Sequence, residues 1–499
     1  MEPDPIYRVS DIRAIEARAA GKPLMERAGL AAASVARDML AGRRSRALVL
    51  AGPGNNGGDA YVVARHLAAW FFEVVVCARE SAGHLPPDAA AARAAWRAGG
   101  GAIVADWAAD RDFGLVVDGL FGIGLARPVD AEFARWIVQA NGAGIPVLAL
   151  DVPSGLDAET GVTQTTVVRA DATATFIGLK PGLLTLDGPD HCGTVSVHRL
   201  DLTAEEMPAA PGTRLEWPMP GAAVPDVLRR RSRNVHKGMF GTLGVVGGSD
   251  GMVGAALLAA RAALHLGAGK VLVGLAANER PAVDWAQPEL MLRSAGDVLG
   301  RTLDALVVGP GLGTTDRARE LLDAALRLSI PLVIDADALT LIAADAALAA
   351  IVAGRSAPTA LTPHPVEAAR LAGIAAAAIQ RDRLQAALAL ARRLRAAIVL
   401  KGAGSVLAFA DGRWAINSTG NPGLASGGTG DVLSGMLGAL LAQGIAVDAA
   451  LSLAVCVHGA AADALVAQGV GPLGLTASEL GPAARRLLNA ARTAAGGIA

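Results

Sequence analysis

The sequence predicts two α/β domains in tandem, and three observations predict them. The chain has 499 residues, roughly twice what a single hydrophobic core usually supports. Short β-branched runs alternate with Ala-rich amphipathic stretches along most of it, the pattern of βαβ units and parallel sheets. Between about Thr203 and Arg233 that alternation stops, and proline, charge and the cluster Arg229, Arg230, Arg231 and Arg233 replace it. The expected domains are therefore residues 1–215 and 216–499, with the arginine cluster read as part of a solvated connector.

In the first half, ALVLAG (47–52), EVVVCA (73–78), LVVDGLFG (115–122), PVLALDVPSG (146–155) and ATATFIG (172–178) read as strands. Each is a short apolar run, and most end in glycine or an acid, which stop a strand and turn the chain. Ala60–Ala69 and Asp88–Ala98 have the composition of intervening helices, and GTVSVHRLDL (193–202) reads as a last strand. A second series opens at GTLGVVGGSDG (241–251) and continues through GKVLVGLA, DALVVGPGLG, PLVIDADAL, TALTPHP and AAIVLKGAG. Asp411–Gly412 marks a hairpin, and the chain ends in long Ala/Leu helices after the Gly-rich GNPGLASGGTGD.

Composition removes several functional classes. A chain that is 52% hydrophobic and 18% charged buries too much apolar surface to be chiefly disordered. Its 45 basic residues are balanced by 46 acidic ones, so no nucleic-acid partner is expected. Three scattered cysteines without a CxxC suggest neither zinc nor disulfides. The N-terminus lacks an apolar signal core, and runs such as WFFEVVVCA are interrupted well short of the ~20 residues a membrane span needs. A cytoplasmic protein with no membrane partner is expected. Only five basic residues are lysines (Lys22, Lys180, Lys237, Lys270 and Lys401), so a lysine inside a Gly-rich turn is worth locating.

Such turns are where the chemistry concentrates. GPGNNGGD (52–59) follows a strand and opens a helix, where free N–H groups and the helix dipole favour an anion. It lacks the GK[ST] ending of a phosphate loop. Its polar side chains suit a ribose, a nicotinamide amide or a hard cation. Asp118 and Asp151 end successive strands, where open α/β sheets place their ligand crevice. Asp151 is a candidate acid/base carboxylate, with Lys180 as a nearby donor. In GNPGLASGGTGDVLSG (420–435), glycines lead into an apolar helix with Asp431 at the edge of an anion hole. KGAGS (401–405) offers a second turn with one cation, and His364 ends another strand in TPHP.

GPGNNGGD, VDGLFGIGLARP, DVPSGLDAETG and FIGLKPGLLT, in that order, resemble the NAD(P)H-hydrate epimerase domain over about residues 8–202. The resemblance implies a Rossmann-like three-layer αβα fold that binds K⁺ through Asn56, Asp118 and Ser154. It also implies that Asn55, Asn56, Gly57, Gly58, Asp59, Asp151 and the loop Gly122, Ile123, Gly124, Leu125, Ala126, Arg127 and Pro128 hold the hydrated nucleotide. HKGMFGTLGVVGGS, VVGPGLG, VIDADAL, LTPHPVEAARL, VLKGAGS and GNPGLASGGTGDVLSGM resemble the ADP-dependent NAD(P)H-hydrate dehydratase domain, a ribokinase-like αβα fold, over about residues 225–490. That resemblance implies Asp431 as the catalytic residue, with Asp431, His364, Gly311 and Ala255 against the substrate. It implies Lys401, Gly402, Ala403, Gly404, Ser405 and Gly430 on the adenine nucleotide, with ADP as co-substrate, ATP as the alternative, and Mg²⁺. The family departs from this chain at Ala60, where it usually has glycine, and at Lys270, where it commonly has leucine. The implied function is repair of hydrated NADH and NADPH by a homo-oligomer. The competing reading is a small-molecule kinase with an N-terminal ligand-sensing module.

Overall fold

Seven strands of the first half join one sheet. They are β1 (Arg46–Ala51), β2 (Glu73–Ala78), β3 (Ile103–Val104), β4 (Leu115–Gly119), β5 (Val147–Leu150), β6 (Ala172–Phe176) and β7 (Thr194–His198). The computed structural model describes residues 4–79, 85–107, 112–125, 128–163, 166–219 and 233–494. Ala126, Arg127 and three of the clustered arginines, Arg229 to Arg231, lie outside them. The chain divides into two units, Asp4–Pro211 and Gly212–Ala499.

In the first unit the strand order is β3-β2-β1-β4-β5-β6-β7, and every pairing is parallel. Strand residues alternate between two apolar layers, as the two-residue period requires. Leu48, Leu50 and Val116 face Phe133, Trp136 and Ile137. Ala47, Val49, Leu115 and Val117 face Ala32, Ala33, Val62 and Val63. Helices thus cover both faces. The order reverses between β1 and β4, and their C-terminal ends frame the crevice where such sheets bind ligands. The helix after β1 runs Asn55–Ala69, starting five positions before the expected Ala60, so Asn55–Asp59 form its first turn and a little more.

The second unit contributes β8 (Gly212–Leu215), β9 (Thr242–Gly247), β10 (Lys270–Leu275), β11 (Met291–Ser294), β12 (Ala305–Val308), β13 (Leu332–Ile334), β14 (Thr359–Leu361), β15 (Ala397–Leu400), β16 (Val406–Ala408) and β17 (Trp414–Asn417). Their order is β8-β17-β16-β15-β14-β13-β12-β9-β10-β11. Strands β9 to β15 pair in parallel, and the hairpin foreseen at Asp411–Gly412 joins antiparallel β16 and β17. The reversal here lies between β9 and β12. Residues 212–215, grouped with the first half in the sequence reading, belong to this unit because β8 pairs with β17. A proline- and charge-rich stretch hid that strand.

The helix Val447–Ala467 corrects the expectation that apolar stretches fall short of a span. It has 21 residues, mean hydropathy 1.7, and is 72% buried inside the unit over its apolar window. Its Leu451, Leu453, Ala454, Val457 and Ala461 belong to the core that includes Val399, Leu407 and Met436, and this packing accounts for its composition.

Candidate active sites

At the first crevice, Asp118 ends β4 fully buried. Its Oδ1 accepts from Ser154 Oγ at 2.7 Å and Leu120 N at 3.2 Å, and its Oδ2 from Ser154 N at 2.8 Å. Burial pushes its carboxyl up to about 6, against these hydrogen bonds. Ser154 Oγ in turn accepts from Phe121 N at 2.8 Å. Asn56 is 7% exposed, and neither polar atom of its side chain has a hydrogen-bond partner. A Cβ on Gly122 would stand 3.5 Å from Asn56 Oδ1, which places Asn56 under the Gly122 loop. A buried amide left unpartnered costs stability. Its oxygen is a hard donor of the kind an alkali cation takes.

Beside it lies a charged cluster. Asp151 follows β5 with φ 65°, a conformation that non-glycine residues seldom adopt and that collects at functional sites. Asp151 Oδ1 accepts from Lys180 Nζ, Phe176 N at 3.2 Å and Thr175 Oγ1 at 3.3 Å. Lys180 is completely buried and also donates to Thr175 Oγ1 and Phe176 O, each at 2.8 Å. Burial, then the charges of Asp151 and Glu16, raises the Asp59 carboxyl well above its usual range. Glu16, on the helix Val9–Arg18, is raised by burial and next by the charge of Asp151. Three carboxyls thus compete for one lysine. A cavity of about 290 Å³ lies alongside, lined by Val9, Ser10, Gly122, Ile123, Leu125, Asp157, Ala158 and Glu159. Asn55, Gly124 and Pro128 are exposed, and Gly57 and Gly58 are buried in the helix.

The second crevice is built from the ends of β13, β14 and β15. Lys401, after β15, donates to Asp335 Oδ1 at 2.9 Å. Asp335 Oδ2 accepts from Ser434 Oγ at 2.6 Å. Burial alone would lower the Lys401 ammonium, but Asp335 and then Glu367 hold it above its ordinary value. Asp431 lies in the first turn of the helix Thr429–Ala442. Among the described residues its carboxylate takes no hydrogen bond, and burial, then the charge of Asp335, pushes it up to about 7. Gly430 lies close under Lys401, where a Cβ would stand 3.1 Å from Nζ and the ammonium would have to give way by a few tenths of an ångström.

His364 has a structural task as well as its place at the crevice. Its Nδ1 caps the helix Pro365–Ala372, accepting from Val366 N at 3.1 Å and Glu367 N at 3.4 Å. Glu367 Oε2 accepts from His364 N at 2.8 Å, which completes a capping box. With Nδ1 as acceptor, the proton of neutral His364 sits on Nε2. Gly311 packs against Ala255, 3.1 Å from where its Cβ would stand, and Leu258 on the same helix reaches Gly428. The turn Lys401–Ser405 is closed by Ser405 Oγ donating to Gly402 O at 3.1 Å. Sequence reasoning missed Glu16, Thr175, Asp335, Glu367 and Ser434 as members of these clusters. Asp335 carries the strand-end signal that singled out Asp118 and Asp151, and could have been found by it.

Residues 243–484 match the family described as NAD(P)H-hydrate dehydratase, and residues 21–182 match the family described as YjeF-related protein N-terminus. The bifunctional NAD(P)H-hydrate repair enzyme Nnr of Escherichia coli is 40% identical over 98% of this chain and 94% of its own. The bifunctional enzyme of Leishmania braziliensis is 39% identical over 94% and 89%. The ADP/ATP-dependent NAD(P)H-hydrate dehydratase of Bacillus subtilis, crystallised with ATP and Mg²⁺, is 33% identical with a TM-score of 0.48, covering 53% of this chain and 96% of its own. The chain belongs to the family of bifunctional NAD(P)H-hydrate repair enzymes.

Proposed function

We propose that the second unit returns the S form of hydrated NADH or NADPH to the dinucleotide with ADP as co-substrate, and that the first unit interconverts the R and S hydrates. The observation that carries this is Asp431: a carboxylate spent on no internal hydrogen bond, raised to about 7, at the start of a glycine-led helix. Such a group accepts a proton at neutral pH while the helix N-terminus holds phosphate oxygens. Asp431 takes the C6 hydroxyl proton as that oxygen captures the terminal phosphoryl group of ADP, with AMP leaving. Phosphate then departs from C6 with loss of the C5 proton, and the C5–C6 double bond re-forms. Lys401–Ser405 and Gly430 hold the nucleotide, while His364, Gly311 and Ala255 face the hydrate. ATP is the alternative co-substrate.

Among the described residues no group of three or more His, Cys, Asp or Glu is arranged for a metal. Mg²⁺ would therefore be held chiefly by the nucleotide's phosphates and water, where it neutralises their charge.

In the first unit, epimerisation requires C6 to become planar, by ring opening or by loss of hydroxyl assisted by the ring nitrogen, and readdition on either face. Asp151 is the acid/base at C6, and Lys180 is its proton-bearing neighbour. Asn56, Asp118 and Ser154 would hold K⁺, a fit supported by the unpartnered buried amide of Asn56, and the ion would supply fixed positive charge beside the substrate. A homo-oligomer in the cytoplasm is the expected setting.

The test gives purified protein a mixed R/S NADPH hydrate with ADP and Mg²⁺ and follows dihydronicotinamide absorbance. Complete recovery supports both activities. Recovery that stalls at the S fraction, beyond the spontaneous rate, removes the epimerase. No recovery with ADP or ATP removes the dehydratase.

A further inference from the structure

Arg383 opens the helix Arg383–Leu394 and is 2% exposed. Its guanidinium reaches the backbone of the Gly-rich turn 401–405. Nη2 donates to Leu400 O at 3.1 Å, and Nη1 donates to Ala403 O. Gly402, at φ 146°, lies flat against it, and a Cβ there would stand 2.6 Å from Nη2. One carbonyl just before the turn, Leu400 O, and one within it, Ala403 O, are thus drawn to one rigid fork, whose planar geometry fixes their separation and direction. In a planar trans peptide the following N–H points opposite to the carbonyl, so the N–H of Gly404 is directed away from the guanidinium. Backbone hydrogen bonds from Lys401 N to Pro363 O at 2.9 Å and from Asn417 N to Ser405 O at 2.9 Å also hold the turn.

Enclosing a guanidinium is costly, and burial lowers its pKa to about 10. Stability alone is a poor reason for it, because apolar replacements of buried charge are often neutral or stabilising. We propose that Arg383 is a positioning residue for the adenine nucleotide, holding Leu400 O and Ala403 O so that the turn Lys401–Ser405 keeps its nucleotide-receiving shape. This rests on the reading that the turn contacts the nucleotide. Arg383 itself touches no substrate and acts through the turn. A lysine cannot replace it, because one ammonium lacks the planar fork that reaches both carbonyls.

The experiment uses the full chain with ADP and (S)-NADPH hydrate, each varied at saturation of the other. Arg383→Lys is expected to raise the KM for ADP by about tenfold, with the KM for the hydrate moving less than about twofold. A folded Arg383→Lys variant with unchanged ADP KM, or with both KM values rising together, overturns the proposal. Should that variant not fold, Gly402→Ala carries the test, because its methyl group would stand 2.6 Å from Nη2 at a strained φ, so that the guanidinium and the turn cannot both keep their places. The same ADP-specific rise is expected, and an unchanged ADP KM again overturns the proposal. Ala403→Asp separates the two levels by placing a carboxylate on an exposed residue of the turn. If it leaves the ADP KM unchanged, the turn does not hold the nucleotide and the underlying reading fails, and the proposal with it. If it raises the ADP KM while Arg383→Lys does not, only the positioning role fails.

Discussion

Lys180 and Asp151 form an ion pair across the first crevice, with side chains 1% and 12% exposed. Removing one member of such a pair leaves an uncompensated buried charge, at about 3–5 kcal/mol. Replacing both with apolar groups need not cost stability. Lys180→Met and Asp151→Leu should therefore each destabilise the first unit. The double variant should recover much of that loss, and none of the three should epimerise. Urea unfolding and an epimerisation assay coupled to excess dehydratase check this. A stable double variant that still epimerises would reduce the pair to a structural feature.

The role proposed for Asp431 predicts the pH dependence of dehydration. Asp431 works as a base only when ionised, and its carboxyl stands at about 7. The rate should fall tenfold per unit below about 7 and level off above it. Asp335→Asn removes the negative charge that ranks next to burial in raising Asp431, so the acid limb should move to lower pH. Asp431→Asn should lose dehydration by a factor of about 10²–10⁴ or more and keep epimerisation. An acid limb that stays in place in Asp335→Asn would argue against Asp431 as the titrating base.

What the sequence disclosed and what it hid have a physical division. Strand ends with glycine and acid announce themselves locally, and so does a glycine-led helix start, so Asp118 and Asp151 are legible by the first signal and Asp431 by the second, as are the parallel sheets. Their partners are not, because contact there spans long separations. Ser434 and Asp335 meet across 99 residues, and Asn56 and Gly122 meet only once the sheet brings β1 and β4 together. Lys180 in GLKPG is legible as a donor near Asp151 from the scarcity of lysine and its Gly-rich turn, whereas its complete burial and its bond to Asp151 show only in the fold. The strand Gly212–Leu215 was masked by its proline-rich setting, and its partner β17 lies some two hundred residues on.

The unpartnered amide of Asn56 predicts a cation effect confined to the first unit. K⁺ should stabilise that unit and support epimerisation, whereas tetramethylammonium, too large and without a coordination preference for oxygen, should do neither. Asn56→Leu keeps the volume and removes both polar atoms. It should abolish the K⁺ response while tolerating the buried position, because an apolar group there carries no unmet hydrogen bond. Calorimetry in the two salts decides it. A K⁺ effect of equal size in Asn56→Leu would place the ion elsewhere.

His364 predicts a separation between folding and substrate binding. Its cap requires an unprotonated Nδ1, and burial, followed by the Lys401 charge, lowers its pKa below 6.5. The unfolded chain then binds more protons than the folded one between the two pKa values, so stability rises with pH across that window. The increment is complete above the unfolded pKa near 6.5 and is lost as pH falls through the folded one. His364→Asn supplies a side chain that caps helices well and does not titrate, so it should keep the stability and abolish this pH dependence. His364→Ala should lose about 1 kcal/mol. If Nε2–H also faces the hydrate, His364→Asn raises the hydrate KM at unchanged stability and unchanged ADP KM. A hydrate KM equal to the wild-type value would leave His364 as a helix cap and nothing more.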